Sequence, residues 1–254
     1  MGTGHAHALF LHEHSKIHYL APEAKLAAGF LFVVAAAITP REAVWAFLLY
    51  LAALIALIRI AKLRFSFLAA RLTVIIPFIL FAVFLPFVSS GERIEVLGIG
   101  ISLEGAWAAW NVFAKASIGA SVSIVLAATT ELPDLIRGME RLRVPAVMTA
   151  IAGFMIRYLE LIADELGRMR VAMTARGYDP RWIWQAKPIA ASAGAMFIRS
   201  YERGERVYDA MLSRGYQGSM PDLGHKRASH SDWRTAITLP LLGIIISVVA
   251  LRIS

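Results

Sequence analysis

Two hexapeptides carry the residues best suited to grip another molecule. Met173-Thr174-Ala175-Arg176-Gly177-Tyr178 returns as Met211-Leu212-Ser213-Arg214-Gly215-Tyr216, with the two arginines 38 residues apart. A guanidinium offers a planar fork of donors that fits carboxylates and carbonyls. A glycine directly after it can take the left-handed conformation that stops a helix. The arginine then falls at the negative end of the helix dipole, where a cation is favoured. Ala175 and Ser213 keep the tip narrow enough to enter a groove. One such ending is an ordinary basic helix cap. Two of them point to a paired docking device.

The segments that must position these tips repeat as well. Asp164 aligns with Glu202, Arg168 with Arg206 and Ala172 with Ala210 at the same offset. Leu159, Ile162, Leu166, Met169 and Met173 follow the spacing of an amphipathic helix. Phe197, Tyr201, Gly204, Tyr208 and Met211 form a second stripe at helical spacing. Charged residues fill the positions between the stripes. Two amphipathic helices, each closed by a small residue, an arginine and a glycine, are therefore expected.

The composition sets the environment. Of 254 residues, 58% are hydrophobic, and the mean hydropathy is +0.61. Soluble domains average about 45–50% apolar, so the chain belongs to the membrane class. The formal charge of +8 suggests cytoplasmic loops of a membrane protein. Nucleic acid is not an expected partner, because a continuous basic stripe with interleaved aromatics is missing. There is no cysteine, which excludes disulfides, thiolate metal sites and iron–sulfur clusters. No secretory signal peptide is visible at the N-terminus.

The hydropathy pattern predicts an all-α membrane protein of about five transmembrane helices with a cytoplasmic platform of amphipathic helices. A polar tail covers 1–25, and a four-span bundle covers 26–128. A charged region with both hexapeptides covers 129–232, and the last transmembrane helix lies in 233–254. The spans are placed at about Leu26–Thr39, Ala43–Ile60, Leu72–Val88, Gly105–Ala128 and Ala236–Leu251. The first needs its flanks to reach a bilayer's width, and a kink is expected near Pro77. Arg93–Val96 and Ile99–Ile101 alternate as a small hairpin would. The apolar pieces Val144–Ile156 and Ile189–Ile198 read as too short to cross, and suit helices at the membrane surface. Arg59, Lys62, Arg64 and Arg71 form a basic stretch without acids, which places it inside. The N-terminus and both hexapeptides are then cytoplasmic, and the C-terminus is external.

Catalytic signatures are scarce. There is no phosphate-binding loop and no His-Glu-x-x-His, and His12-Glu13-His14 lacks the helical spacing that sets two imidazoles on one metal. No pair of acids stands within a span. Lys115, one turn after Asn111, is ionisable within a span; it either has a transport role or satisfies a polar spot between helices. His5, His7, His12, His14 and His18 could contact a late transition metal, or simply form a solvated tail. Catalytic residues and resident metal ligands are expected to be none.

The chain resembles the T component of energy-coupling factor transporters, in the branch of CbiQ-type cobalt permeases. The double Ala/Ser-Arg-Gly tip is similar to that family's signature. The stretch from Ser15 through Pro22-Glu23-Ala24-Lys25-Leu26 resembles its Pro-x-x-Lys-Leu lead-in to the first helix. Thr129-Thr130 through Leu135, Met139, Leu142, Val144 and Pro145 resembles its junction after the fourth helix. Ser213 stands where alanine is usual. The resemblance implies a multi-pass protein of the bacterial inner membrane that hydrolyses nothing itself. Its coupling residues would be Ala175, Arg176, Gly177, Ser213, Arg214 and Gly215. The implied partners are CbiO-like ATPases carrying ATP and magnesium, a CbiM-like substrate subunit and a small CbiN-like subunit. Nickel systems share this layout, and vitamin systems use close relatives of the T component. A membrane-embedded transferase, which would need an acidic cluster, and a self-sufficient channel are the rival classes.

Overall fold

Residues 15–89, 93–96, 99–179, 182–218 and 227–253 are described by a computed structural model. Nine helices and one hairpin lie within them. The first four are α1 (Pro22–Ile38), α2 (Val44–Ile60), α3 (Phe65–Arg71) and α4 (Ile76–Val88). The strands β1 (Arg93–Val96) and β2 (Ile99–Ser102) precede α5 (Leu103–Thr129) and α6 (Leu132–Arg141). Then come α7 (Ala146–Ala175), α8 (Lys187–Leu212) and α9 (His230–Ile253). The chain divides into two compact units, one containing residues 143–225 and the other built from the stretches on either side of them.

The second unit is a helical bundle. Pro22 starts α1 with Glu23 in its first turn, where a missing N–H costs nothing and an acid is favoured. Small residues on α1, Ala24 and Ala28, bury against Ala236 of α9. At Gly243 a β-carbon would come within 3.0 Å of the Phe32 ring. Such small-residue seams let helices approach closely in lipid, where packing rather than water drives association. Tyr50 of α2 is fully buried at the centre and donates to the Gly243 carbonyl at 2.8 Å. Thr39 Oγ1 donates to the Ala35 carbonyl and lies 3.1 Å from the Tyr50 hydroxyl. Outside, Leu48, Leu51, Phe78, Leu80, Phe81 and Phe84 are exposed, an apolar surface suited to hydrocarbon.

The five expected spans all correspond to helices of this bundle, with shifted limits. α1 and α2 have 17 residues each, about 25 Å and so at the short end for a crossing. The third span begins at Phe65 instead of Leu72, so Arg71 lies within a helix and not in the loop. Its guanidinium sits 4.1 Å over the Phe67 ring. The break expected at Pro77 is a 3-10 turn, Leu72–Ile75, between α3 and α4. Pro77 has no N–H for the Thr73 carbonyl and its ring crowds the preceding turn. The hairpin forms as expected, pairing Arg93 with Ser102 and Val96 with Ile99.

Val144–Ile156 needs correction. It is not a short separate piece: it leads into the unbroken 30-residue α7. By length and composition α7 is one of four described helices able to cross a membrane. The charges from Arg157 onward end the apolar run without ending the helix, because no proline follows.

α2 closes with an unusual cap. Lys62 N–H donates to the Arg59 carbonyl and Leu63 N–H to the Ile58 carbonyl, the paired bonds of a Schellman ending. Lys62 sits at φ 57°, where a β-carbon is disfavoured. Lys62→Gly should relieve this, with part of the gain offset by glycine's entropy in the unfolded chain. A net stabilisation of about 0.5–1 kcal/mol is expected, seen as a higher melting temperature in detergent. An unchanged or lower melting temperature would refute the strain.

Candidate functional site

Both tips end in the same hydrogen-bonded structure. At the end of α7, Gly177 N–H donates to the Thr174 carbonyl at 3.0 Å and Tyr178 N–H to that of Met173 at 3.1 Å. At the end of α8, Gly215 N–H donates to Leu212 at 2.9 Å and Tyr216 N–H to Met211 at 3.0 Å. These are two Schellman caps matched residue for residue. Gly177 and Gly215 have φ of 77° and 83°, and a β-carbon at either would meet open space. The glycines are needed for backbone conformation and not for room.

Ala175, Arg176, Ser213 and Arg214 are exposed. Among the described residues neither guanidinium forms an ion pair. Ser213 Oγ donates to the Asp209 carbonyl at 2.8 Å, as Thr174 Oγ1 donates to that of Arg170 at 2.7 Å. The hydroxyl of Ser213 is thus spent within its own helix, and the tip stays as narrow as with alanine.

The two helices run antiparallel. Met173, near the end of α7, meets Ser192, near the start of α8. Glu165, two turns earlier on α7, meets Arg199 and Arg203, further along α8. The Tyr178 hydroxyl also donates to the Gln185 carbonyl just before α8. The Arg176 tip is therefore tied near the start of α8, while Arg214 stands past its other end. With 26 residues in α8, the tips are separated by about 39 Å.

Glu165 is the charged link of this pair, a role its place among neighbouring acids does not announce in the sequence. It is 8% exposed and accepts from Arg199 at 2.9 Å, with Arg203 at 3.5 Å. The two guanidiniums compensate a charge that burial would otherwise penalise. Under the 38-residue offset Glu165 is the counterpart of Arg203, so the repeat departs from identity where its two copies touch. The apolar stripes behave differently from expectation. On α7, Leu159 and Leu166 are exposed, and the buried position between Ile162 and Met169 is Glu165. On α8 no described residue is buried, and Phe197, Tyr201 and Tyr208 are 71%, 61% and 52% exposed. Among the described residues, the aromatic face of α8 stays exposed.

The other stretches with sequence signals meet inside the bundle. Lys25 of the Pro-Glu-Ala-Lys lead-in donates to the Thr129 carbonyl at 2.8 Å and to Thr130 Oγ1 at 3.1 Å. It also reaches the His18 carbonyl at 3.2 Å. The lead-in and the junction after α5 are thus one contact. Lys115 donates to the Ala37 carbonyl at 2.7 Å, joining α5 to the end of α1 as a polar tie between helices. Asn111 does not share that bond. His5, His7, His12 and His14 lie outside the described residues; His18 Nδ1 is 2.7 Å from Ser15 Oγ. Among the described residues no group of three or more histidines and acids is placed to hold a metal.

The sequence matches known proteins over most of its length. The family model CbiQ, described as cobalt transport protein, covers residues 13–223. The cobalt transport protein CbiQ of Rhodobacter capsulatus is 30% identical over 68% of this chain and 73% of its own. The energy-coupling factor transporter transmembrane protein EcfT of Staphylococcus aureus is 26% identical over 93% of this chain and 91% of its own. The EcfT of Streptococcus equi is 28% identical over 91% of this chain and 90% of its own. With its apolar helices and its paired arginine caps, this multi-pass membrane protein belongs to the CbiQ family of energy-coupling factor transport components.

Proposed function

We propose that the chain is the transmembrane coupling subunit of an energy-coupling factor importer for cobalt. One observation carries the reading: two identical arginine caps at opposite ends of one antiparallel helix pair. That arrangement suits engagement of two like partners at once. In this reading Ala175-Arg176-Gly177 docks one CbiO-like ATPase and Ser213-Arg214-Gly215 the other, both on the cytoplasmic side. Closure of the ATPase pair on ATP moves the tips, and α7 and α8 pass the motion to a CbiM-like substrate subunit with a CbiN-like companion. ATP and magnesium stay on the ATPases, and this chain supplies no catalytic residue and no resident cofactor.

The exposed aromatic face of α8 supports a membrane or protein partner lying along it. Cobalt is favoured by the description of the matching family and by the name of the R. capsulatus relative. A nickel or vitamin importer is the second reading, since relatives named only for energy coupling match over more of the chain. The test is extraction from membranes of cells that also express CbiO-, CbiM- and CbiN-like subunits, with uptake of cobalt(II) challenged by nickel(II). ATPase chains should co-purify, and cobalt(II) uptake should need this chain. Extraction without ATPases would overturn the coupling role, and stronger uptake of nickel(II) would move the substrate to the second reading.

A further inference from the structure

In sequence, the coupling helices interrupt the bundle, which resumes after them. The chain leaves the bundle after Leu142, at the end of α6, and is back in it by Arg227, just before α9. Covalently, anything residues 143–225 do can reach the bundle only through these two connections.

One buried carboxylate holds both of them. Glu23, in the first turn of α1, is 4% exposed. Arg141, two residues before the first connection begins, donates to its two oxygens at 3.2 and 3.3 Å. The N–H of Ala228, just after the second connection ends, donates to Oε1 at 2.6 Å. The side chains of Arg141 and Glu23 are 15% and 6% exposed, so this is an ion pair largely removed from water. α6 is also seated hard against the same turn. At Gly138 a β-carbon would come within 2.8 Å of Leu26 Cδ1 and 3.0 Å of the Glu23 nitrogen. Two residues on from Glu23, Lys25 ties that turn to the α5–α6 junction.

We propose that Glu23 is a positioning residue for coupling: it clamps both connections of the inserted unit to α1. Displacement of α7 and α8 then moves α6, α1 and the start of α9 together. Without the clamp, the same displacement no longer reaches α6, α1 and α9 in concert. This rests on the coupling function above, but the clamp has its own observable.

Two substitutions separate its halves. Glu23→Gln keeps an acceptor for the Ala228 N–H and removes the charge facing Arg141; Glu23→Ala removes both. In complete transporter, each variant is expected to assemble with the ATPases and hydrolyse ATP at close to the parent rate. Uptake should fall roughly tenfold for Glu23→Ala, the scale of losing one charge-assisted bond, and less for Glu23→Gln. Glu23→Asp, which keeps the charge on a shorter arm, should recover part of it. Unchanged uptake would overturn the proposal. So would uptake that falls only in proportion to assembled complex, because that is the mark of a purely structural residue.

Amide hydrogen exchange supplies the independent readout. In Glu23→Ala, exchange should accelerate together at Leu142–Val144 and at Ala228, while Glu23→Gln should spare Ala228. Acceleration on one connection alone would refute the double clamp, even if the arginine tips proved to bind no ATPase.

Discussion

Replacing both Arg176 and Arg214 by alanine is expected to strip the ATPases from the complex and abolish uptake. Each exposed guanidinium would enter an acidic or carbonyl-lined groove, where charge-assisted bonds exceed neutral ones. Truncating one partner of such a buried pair costs about 2–5 kcal/mol, much of it from the group left unpaired. A single change should weaken ATPase association by about 30-fold or more. The double change should exceed either, because two docks on one helix pair reinforce each other through effective concentration. Lysine at either position should rescue only partly, since it keeps the charge and loses the fork. Insertion and melting temperature should not move, because both side chains are exposed and neither cap depends on them. Co-purification and uptake measured on each variant decide it. If the double variant keeps its ATPases and transports normally, the tips are helix caps and nothing more.

The second large effect is on stability. Tyr50→Ala should destabilise the bundle by about 3–5 kcal/mol, the cost of deleting a large buried ring and leaving a cavity. Tyr50 is fully buried, its ring is 5.3 Å from that of Phe32, and its hydroxyl reaches α9 through the Gly243 carbonyl. Tyr50→Phe keeps the ring and loses that bond, which within a membrane is worth only about 0.6–2 kcal/mol. Thermal unfolding in detergent should therefore rank parent, Phe and Ala in that order, with the wide gap before Ala. Phe as damaging as Ala would mean that hydrogen bonding, and not packing, holds α1, α2 and α9 together.

The parts of this molecule legible in its sequence are those written locally. Gly177 and Gly215 announce their caps because the left-handed turn is decided by a residue and its immediate neighbours. The spans are legible because lipid demands unbroken apolar runs. The limits of α3 and α7 were not, since charges such as Arg71 and Arg157 interrupt hydropathy without interrupting a helix. The Glu23 clamp was out of reach for a different reason. Its partners lie 118 and 205 residues away, and nothing near Glu23 distinguishes it from an acid placed to suit a helix N-terminus. Glu165 is hidden likewise, as one charge among many between the apolar stripes. The aromatic stripe of α8 is legible as a stripe, but amphipathic spacing does not say what covers it.

The pairing of α1 and α2 with α9 bears on how the protein is made. The Tyr50–Gly243 bond joins positions 193 residues apart, and the Ala24–Ala28–Ala236 seam closes a loop of similar length. Loops of that size close late and slowly. α9 is the last described helix to leave the ribosome, so through most of synthesis α1 waits in the bilayer with its small-residue face uncovered. Residues 143–225 emerge complete before the bundle can shut. A chain stalled or cut before α9 would then hold both arginine caps while lacking the seam on which the bundle closes. Such fragments would be natural targets for membrane proteases, and the closing of one helix seam would separate a usable subunit from one to be discarded.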